Sequence, residues 1–538
     1  MLNLDAASLA HTDEWSSAGV KLPGYDIAAM RSRTVSDPIW LHFGAGNIFR
    51  GFIARLQHSL LEQGLAEKGI IAADTFDCEL IRNIYHPHDN LTLIADLGAD
   101  GTIGLEAAAG VAEAVCADGS AESLSRLKEI FASPSLQMVS FTITEKGYEL
   151  RGISGEMLPV TAHDVNSRPD EARHTMSIVC ALLYHRWKSG AHPIALVSMD
   201  NCSKNGEKLQ GSITAIAKAW FHAGFIDGSF LNYLSDSAKV SFPWSMIDKI
   251  TPRPAASVQQ ALEEAGIGGM TPITTDRGTY IAPFVNAEIP QYLVIEDLFP
   301  NGRPPLERAG VYLTDRDTVN RTERMKVCTC LNPLHTALAV FGCLLGFDSI
   351  AAEMKDPQLS ELVRRIGYDE GMPVVTDPGI ISPQAFLAEV LEQRLPNAFI
   401  PDTPQRIACD CSQKIPIRFG ETIKAYIENP ALDVLSLTCI PLAIAGWLRY
   451  LLGVDDELAP MTCSPDPMLE QLQCQLAGIT VGEPDSCSGR LAPILSNAKL
   501  FGTDLCACGL AERIEVMLKA MLGGRGAVRA ALINWLGA

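Results

Sequence analysis

The sequence has no run of about 18 apolar residues, the length that a helix needs to cross a bilayer. Its most apolar stretch, residues 437–447, is shorter and is interrupted by Pro441. The first residues, MLNLDAASLAHTDEWSS, contain no basic segment followed by an apolar one and so do not resemble a secretory signal. We therefore expect a cytoplasmic protein that makes no contact with a membrane.

Positive charge is also scarce. The chain has 43 Lys and Arg against 63 Asp and Glu, so its net charge is 43 − 63 = −20. Such a surface repels nucleic acid and anionic lipid, and we expect neither as a partner. An anionic substrate would have to be met by a local basic pocket.

A cysteine framework is missing. The 15 cysteines are odd in number and scattered, and the C-x-C pairs 328/330, 409/411 and 506/508 lack the second pair or the spaced histidine that a zinc site needs. We therefore expect no bound metal, and reduced, mostly buried thiols in a reducing compartment.

Between residues 36 and 290 the sequence alternates strand and helix patterns. It predicts strands at 39–43, 69–73, 138–142 and 194–199, helices at 48–63, 121–131 and 176–188, and a β-rich region at 91–105. This alternation indicates an α/β Rossmann-type domain with a parallel sheet. Residues 1–35 are polar and irregular and are expected to form an arm.

From residue 291 to 538 the pattern predicts a mostly α-helical domain. Apolar residues recur at helical spacing in seven segments: 331–345, 356–366, 383–393, 416–428, 435–452, 467–476 and 508–522. We place the domain boundary at 290/291, and the Pro- and Gly-rich segment 299–305 is predicted to be a loop.

A cofactor turn is predicted in IWLHFGAGNIFRGF. Gly44 and Gly46 separate a strand from a helix that starts with Asn47 and Ile48, and glycine there lets backbone amides approach a pyrophosphate. Phe49 stands where the third glycine of the full fingerprint would fall, so an ordinary strand-to-helix turn is the alternative. The expected cofactor is NAD, with NADP possible.

Two charged neighbours support this turn. Arg50, one turn into the helix, is expected to reach a phosphate. Asp74 follows the second strand, where an acidic residue holds the adenosine ribose and favours NAD over NADP. Asp77 is the competing candidate, and a solvated loop carboxylate is the alternative for Asp74.

Polar side chains that could take part in catalysis or substrate binding occur in three further segments. RMKVCTCLNPLHTALAVFGCLLG places Lys326, Asn332 and His335 before and at the start of an apolar helix, although Asn332 could simply cap that helix and His335 could be a satisfied polar group. Asn201 follows a parallel strand, at the edge where open α/β sheets bind ligands. Asp248 lies in the turn-rich segment FPWSMIDKITPRP.

These segments resemble the polyol-specific long-chain dehydrogenase/reductase family, which includes mannitol 2-dehydrogenases and hexuronate reductases. The resemblance covers nearly the whole chain and is carried by HFGAGNIFRG, FTITEKGY, SMDNCSKNG, MIDKITP, VIEDLFPNGRP, LNPLHTALAVFG, CSQKIPIRF, AGWLRYLLGVDDE and DPML. The AGWLRYLLGVD and VIEDLFPNGRP pieces favour the fructuronate reductase (D-mannonate oxidoreductase) branch.

The resemblance implies roles for individual residues. Lys326 would be the general acid/base, while Asn201 and Asn332 would hydrogen-bond the substrate carbonyl or developing alkoxide. His335 would orient the substrate and Asp248 would support it.

Two cations match basic positions of the family's site. Arg406 and Lys414 would bind a substrate carboxylate, with Arg418 a less certain third, and the alternative is that they are surface cations paired with acids. Guanidinium recognition of a carboxylate favours a uronate over neutral mannitol.

The spacing of the catalytic motif departs from the family's. The family has its asparagine five residues after the lysine and its histidine three further on, whereas here the separations from Lys326 are six and nine. Nine residues of α-helix turn about 900°, which would face Lys326 away from His335. Pro333 cannot donate an amide hydrogen bond, so we expect a bulge or a helix restart to absorb the extra residue.

The resemblance thus implies a metal-independent NAD(P)-dependent oxidoreductase that reduces D-fructuronate to D-mannonate. The alternatives are a mannitol 2-dehydrogenase or related polyol dehydrogenase and, remotely, a non-catalytic sugar- or dinucleotide-binding protein. The expected partner is a small sugar acid or polyol, and the expected state is a monomer or weak homo-oligomer.

Overall fold

The computed structural model describes residues 1–118, 121–152 and 154–537. The chain divides into two compact units. The first comprises Met1–Gly98 and Thr102–Asn320. The second comprises Ala99–Gly101 and the described chain from Arg321 onward.

The first unit contains the strands. Within the described residues these are β1 (Val20–Lys21), β2 (Trp40–Phe43), β3 (Ile70–Asp74), β4 (Thr92–Leu97), β5 (Ile103–Ala108), β6 (Val111–Cys116), β7 (Met138–Phe141), β8 (Ile194–Ser198), β9 (Val240–Ser241), β10 (Ser245–Asp248), β11 (Ile273–Thr274), β12 (Tyr280–Ile281), β13 (Phe284–Glu288), β14 (Tyr292–Glu296) and β15 (Tyr312–Thr314).

Six strands form one parallel sheet in the order β6-β3-β2-β7-β8-β9. The chain leaves β2 towards β3 and β6, and then returns to the other side of β2 to add β7, β8 and β9. The order therefore reverses between β2 and β7, and a crevice for a ligand opens at the carboxyl ends of such strands. The predicted Rossmann-type sheet is confirmed.

Both faces of this sheet are buried. Leu41, Phe43 and Phe141 face one core cluster, while Trp40 and Met138 face the other. A parallel sheet covered by helices on both faces reads as continuous apolar strands, which is why β2, β3, β7 and β8 were recognisable in the sequence.

The remaining strands form smaller sheets. β1-β5-β4-β13 is a mixed four-stranded sheet, β10-β14-β15 is a three-stranded sheet, and β11-β12 is a hairpin. In the three-stranded sheet β10 is antiparallel to β14.

Helices flank the strands of the first unit. They are Thr12–Ser17, Ile27–Ser36, Ala54–Glu62, Cys78–Leu80, Ala121–Ala132, Pro159–Val165, Thr175–Lys188, Asn205–His222, Ser229–Ser235 and Ala256–Glu264. The segment 1–35, expected to be an irregular arm, instead contains two of these helices and strand β1, whose Val20 pairs with Leu105 of β5. These elements were not predicted because each buries only a few side chains, so the segment is polar in composition.

The second unit is helical, as predicted. Its helices are Asn332–Leu345, Ile350–Glu353, Pro357–Arg365, Pro383–Glu389, Pro404–Ile407, Cys411–Ile415, Glu421–Glu428, Cys439–Tyr450, Leu469–Gln475, Ala492–Leu495, Ala498–Phe501, Leu510–Met521 and Ala527–Leu536. Helix Cys439–Tyr450 packs closely on helix Asn332–Leu345, because a Cβ at Gly446 would lie 2.6 Å from the ring of Phe341.

The units divide at Asn320/Arg321, thirty residues beyond the boundary expected at 290/291. Strands β14 and β15 lie between these two positions and pair with each other. The Pro- and Gly-rich segment 299–305 is a loop, as predicted, but it connects two strands of the first unit. Its composition made it resemble a linker between domains.

Among the described residues, one helical stretch, Arg316–Leu345, is long and apolar enough to cross a membrane by length and composition alone; it comprises helix Arg316–Arg324, the turn Met325–Cys330 and helix Asn332–Leu345. Of its most apolar 18-residue window, 78% is buried inside the protein, which is typical of a core helix. This stretch was not identified from the sequence because only uninterrupted runs of apolar residues were considered.

A carboxyl group is buried in the second unit. Glu353 is 0% exposed, and neither of its carboxyl oxygens has a hydrogen-bond partner among the described residues. Burial, followed by the nearby Asp356, raises its pKa to about 9. The group is therefore protonated near neutral pH, because ionising it would place an uncompensated charge in the core.

We predict that Glu353→Gln reduces the pH dependence of stability. The folded-state pKa of Glu353 lies above its ordinary value of 4.5, so its contribution is complete below pH 4.5 and is lost as pH rises towards 9. The slope is at most about 1.4 kcal/mol of unfolding free energy per pH unit. Urea unfolding between pH 5 and 9 should show a flatter profile for Glu353→Gln than for the parent. Glu428→Gln, at an exposed glutamate of the same unit, should retain the parent slope; equal slopes in all three proteins would contradict the assignment.

Candidate functional site

The turn after β2 requires glycine at its first position. Gly44 has φ +99°, and a Cβ there would collide with the backbone carbonyl of Thr142, which follows β7. The Gly44 N–H donates to the carbonyl oxygen of Ala73 at 2.9 Å. The turn is thus fixed at the point where the strand order reverses.

Gly46 is constrained differently. A Cβ at Gly46 would meet no described atom within 4 Å, so the glycine leaves open space beside the start of the helix at Asn47 and Ile48. Backbone amides at a helix N-terminus bordered by free space suit a pyrophosphate. The residues present therefore fit the predicted dinucleotide.

The missing third glycine has a substitute two positions later. A Cβ at Gly51 would lie 2.8 Å from Cγ1 of Val285 and 3.2 Å from Cγ2 of Thr251. Gly51 thus allows the close packing of the helix that the third glycine of the fingerprint usually provides. The spacing Gly44-x-Gly46-x₄-Gly51 was visible in the sequence, but its role was not recognised.

Arg50 is buried rather than directed towards solvent. It is 1% exposed, donates to the Ala282 carbonyl at 2.9 Å and donates to Oδ1 of Asn47 at 2.8 Å. Burial lowers its pKa to about 10. In these contacts Arg50 orients Asn47, and both of its terminal nitrogens are used within the protein.

Asp74 organises the loop after β3. Its carboxylate accepts hydrogen bonds from the backbone amides of Ala45 at 3.0 Å, Phe76 at 2.9 Å and Asp77 at 2.8 Å. Burial raises its pKa, although the three amide donors oppose the shift. Asp74 therefore joins the glycine turn to the end of β3.

Asp77, the competing candidate, lies deeper. It is 4% exposed, its Oδ2 accepts from the Thr275 hydroxyl at 2.6 Å, and its Oδ1 has no partner among the described residues. It holds the β11–β12 hairpin against this loop. Asp74 is the more accessible of the two carboxylates.

The expectation that all thiols are reduced is wrong at one pair. Cys78, just after Asp77, forms a disulfide with Cys116, the last residue of β6. The two cysteines are 38 residues apart but β6 pairs with β3, which brings them together. The other thirteen cysteines, all among the described residues, form no disulfide.

Those two sulfurs also belong to the one group of metal-ligand type found among the described residues, with Asp118 as its third member. Because the sulfurs are bonded to each other, the group offers no thiolate to a metal.

Asn201 and Asp248 lie on elements that one buried asparagine holds together. Asn201 follows β8 and is exposed, while Asp248 ends β10 and is 6% exposed. Asn205, fully buried, donates from Nδ2 to the carbonyl oxygens of Asp200 at 3.1 Å and Ser245 at 3.0 Å. It therefore fixes the end of β8 against the start of β10. Sequence reasoning quoted its motif, SMDNCSKNG, but did not single out Asn205.

Asp200, beside Asn201, has a structural role. Its carboxylate accepts from the amides of Ile143 and Thr144 at 3.0 and 2.9 Å and from the Tyr148 hydroxyl at 2.5 Å. The segment FTITEKGY is thereby attached to the end of β8.

A π turn absorbs the extra residue after Lys326. Residues Met325–Cys330 form a π-helical turn, and the Leu331 N–H donates to the Lys326 carbonyl at 3.1 Å, five residues back. An α-helix then restarts at Asn332, with Pro333 in its first turn. Because a π turn holds one more residue than an α turn, the spacing anomaly is accommodated before the helix resumes. Lys326 is 2% exposed.

Asn332 does not cap its helix. The N-cap position is Leu331, with no side-chain cap, and the Asn332 amide has no hydrogen-bond partner within the described part of the chain. His335, one turn further on the same face, is 17% exposed at its side chain. The two side chains are three residues apart on one helix and therefore lie side by side.

His335 is surrounded by cations. Burial, followed by the charges of four cations of the second unit, lowers its pKa to about 3; these cations are Arg418, Arg406, Arg394 and Lys414. We refer to these four residues as the basic cluster. Nε2 of His335 lies 3.4 Å from Oδ2 of Asp402, but the geometry is not that of a hydrogen bond. The imidazole is therefore neutral and its Nε2 is not committed to a protein partner.

The members of the basic cluster differ in their partners. Arg406 pairs with Asp402 and is 63% exposed at its side chain. Lys414 donates instead to the carbonyls of Cys409 and Ile407, and Arg418 donates to the Thr336 hydroxyl. Burial lowers the pKa of Lys414, with Arg418 contributing, and lowers that of Arg418 to about 10. Sequence reasoning did not identify Arg394, whose segment carried no motif.

The chain matches known proteins over its full length. The family model described as "Mannitol dehydrogenase Rossmann domain" matches residues 38–308, and "Mannitol dehydrogenase C-terminal domain" matches residues 318–522. The chain is 50% identical to a D-mannonate oxidoreductase of Thermotoga maritima, covering 100% of this chain and 99% of the relative. It is 28% identical to a D-mannonate oxidoreductase of Escherichia coli, over 91% and 93%.

A solved structure is similar throughout. It is the mannitol 2-dehydrogenase of Pseudomonas fluorescens in a ternary complex with NAD and D-mannitol, with a TM-score of 0.70 and 26% identity. The match covers 99% of each chain.

The two glycines of the turn should respond differently to alanine. Gly46→Ala should leave the thermal midpoint unchanged, because its Cβ meets open space, but should raise the Kd of a reduced nicotinamide dinucleotide about tenfold by filling that space. Gly44→Ala should lower the midpoint, because both its φ and the Thr142 carbonyl exclude a side chain. Differential scanning fluorimetry and nucleotide fluorescence titration measure the two effects. Unaltered nucleotide affinity in Gly46→Ala would contradict the assignment of the turn.

Proposed function

The chain belongs to the mannitol dehydrogenase family of oxidoreductases, and we propose that it reduces the keto-hexuronate D-fructuronate to D-mannonate, using NADH. The basic cluster beside the neutral His335 is the observation that carries the substrate assignment. The names of the relatives from Thermotoga maritima and Escherichia coli support it.

A carboxylated substrate explains the unusual electrostatics of this part of the second unit. The protein has a net charge of −20, yet Lys414 and Arg418 donate to carbonyls and a hydroxyl instead of to carboxylates. Burying cations without acidic partners is costly unless a ligand supplies the negative charge. A uronate carboxylate supplies it and a neutral polyol does not.

The cofactor assignment rests on the glycine turn and on Asp74. NADH supplies the hydride that adds to the ketone carbon. The pyrophosphate of NADH is proposed to bind at the turn formed by Gly44, Gly46, Asn47 and Ile48. Arg50 keeps Asn47 in place. Asp74 is proposed to accept from the adenosine ribose hydroxyls, and its negative charge disfavours the 2′-phosphate of NADP. The NAD in the Pseudomonas fluorescens complex supports this choice.

As the ketone is reduced, its oxygen gains negative charge and requires donors and a proton. We assign the proton to the Lys326 ammonium, and hydrogen bonds to the side-chain amides of Asn332 and Asn201. The neutral His335 imidazole orients a substrate hydroxyl, and Asp248 supports the substrate, as the family motif implies. No metal is required for this chemistry, since ammonium and amide groups stabilise the developing alkoxide.

The predicted cytoplasmic location and the monomeric or weakly oligomeric state stay predictions.

Lys326→Ala should abolish proton transfer. We expect kcat for fructuronate reduction to fall about 10²- to 10⁴-fold, and the limb of the pH–rate profile that reports the proton donor to disappear. Lys355→Ala, at an exposed lysine of the same unit, is the matched control and should behave as the parent. A Lys326→Ala profile identical to the parent's in height and shape would exclude Lys326 as the acid.

Lys414→Met should separate the substrate classes. Removing one charge-assisted hydrogen bond should lower kcat/KM for fructuronate about 10- to 100-fold. Turnover of fructose, which has no carboxylate, should change little. Lys499→Met, at an exposed lysine, is the control, and thermal midpoints verify folding.

A panel of fructuronate, tagaturonate and fructose, assayed with NADH and NADPH, tests the assignment as a whole. Turnover of fructose alone would favour the polyol dehydrogenase alternative. The similarity to the mannitol-bound Pseudomonas fluorescens enzyme is the reason to test it. Binding without turnover would indicate a non-catalytic protein.

A further inference from the structure

A second basic site lies within the first unit, on its helical face. It is a concave pocket of about 420 Å³ lined by helix Ala121–Ala132, the turn Pro169–Glu171, helix Thr175–Lys188 and the segment after helix Asn205–His222. None of its residues belongs to the cofactor turn, to the loop of Asp74 or to the elements carrying Asn201 and Asp248. A volume of this order accommodates a small metabolite.

The polar side of the pocket carries mainly positive charge. Lys128, Arg168 and Lys188 line it together with His185, and Asp170 is its one acidic lining residue among those described. With His185 neutral, three cations and one carboxylate leave a formal charge of 3 − 1 = +2. This value contrasts with the −20 of the whole chain.

These cations are not neutralised by the protein. Within the described residues no carboxylate lies within 4.0 Å of the charged groups of Lys128, Arg168 or Lys188, although acids outnumber bases by 63 to 43. The Lys188 ammonium lies over the ring of Tyr184, 4.3 Å from its centroid. Burial, followed by Lys128 and Lys188, lowers the pKa of His185. The pocket thus has a positive potential that the fold leaves available.

The lining also includes an apolar wall. Its residues are Ile178, Leu182 and Phe225, of which Ile178 and Leu182 are buried members of the core cluster that also contains Leu41 and Phe141. A simple inorganic ion would leave this wall in contact with water. A ligand with both an anionic group and an apolar or planar body would cover it.

We propose that this pocket binds a phosphate monoester of a small metabolite, with the dianionic phosphate at Lys128, Arg168 and Lys188 and the organic body on Ile178, Leu182 and Phe225. The −2 charge of a phosphate monoester matches the +2 of the pocket. Guanidinium and ammonium groups are the usual protein partners of phosphate. The lining shares no residue with the cofactor turn or with the basic cluster.

Phenyl phosphate at pH 8 is the probe, titrated into the full-length protein by isothermal calorimetry in the presence of saturating NAD. We expect one site, with phenol and inorganic phosphate each binding at least tenfold more weakly because each lacks half of the recognised structure. The double variant Lys128→Ala/Lys188→Ala should raise the Kd of phenyl phosphate at least tenfold. The single variant Arg168→Gln should do the same. The three side chains are half-buried or exposed, so the variants should keep the parent's thermal midpoint.

Two control variants make the test decisive. Lys218→Ala, at an exposed lysine of helix Asn205–His222, should leave the affinity unchanged. Lys414→Met, in the basic cluster of the second unit, should also leave it unchanged. Retained affinity in the Lys128/Lys188 variant, or loss of binding in Lys414→Met, would overturn the proposal, and neither result depends on which sugar acid the enzyme reduces.

Discussion

The hydrogen bond from the Leu331 amide to the Lys326 carbonyl is the constraint on which the conformation of the segment from Lys326 to His335 depends. It closes a turn one residue longer than an α-helical turn, and it does so directly before Pro333, where the chain has no amide to donate. The chain thereby takes up an additional residue without moving Asn332 and His335 off their common helix face. A local change of helix type therefore sets the rotation of Lys326 relative to Asn332 and His335 along this segment.

Much of the fold could be predicted because its signals are local. Strands β2, β3, β7 and β8 are continuous apolar runs, and the helices of the second unit repeat apolar residues at helical spacing. The end of the first unit was misplaced because β14 and β15 are short and are separated by a loop rich in proline and glycine. β14 pairs with the distant β10 and β15 pairs with β14, and neither pairing leaves a trace in the sequence of these strands.

The residues of the candidate site also differ in whether the sequence alone could identify them. The glycine turn and the strand-end carboxylates were recognisable because they directly follow apolar strands, and Lys326, Asn332 and His335 were recognisable through the resemblance to a known family despite their altered spacing. Asn205 and Arg394 were not, because their importance comes from neighbours brought close by folding. The disulfide belongs to this second class: Cys78 and Cys116 meet only because β3 and β6 are paired strands.

The contacts of Asp74 have a consequence for redesign of the enzyme. Its carboxylate is held by the amides of Ala45, Phe76 and Asp77, so it shapes the turn that carries the glycines as well as carrying charge itself. A replacement that has no side-chain oxygen would leave three backbone donors unsatisfied at once. If the proposed role of Asp74 in cofactor choice holds, engineers who wish to exchange one coenzyme for the other would need to rebuild the whole loop, since the same two oxygen atoms also fix the backbone.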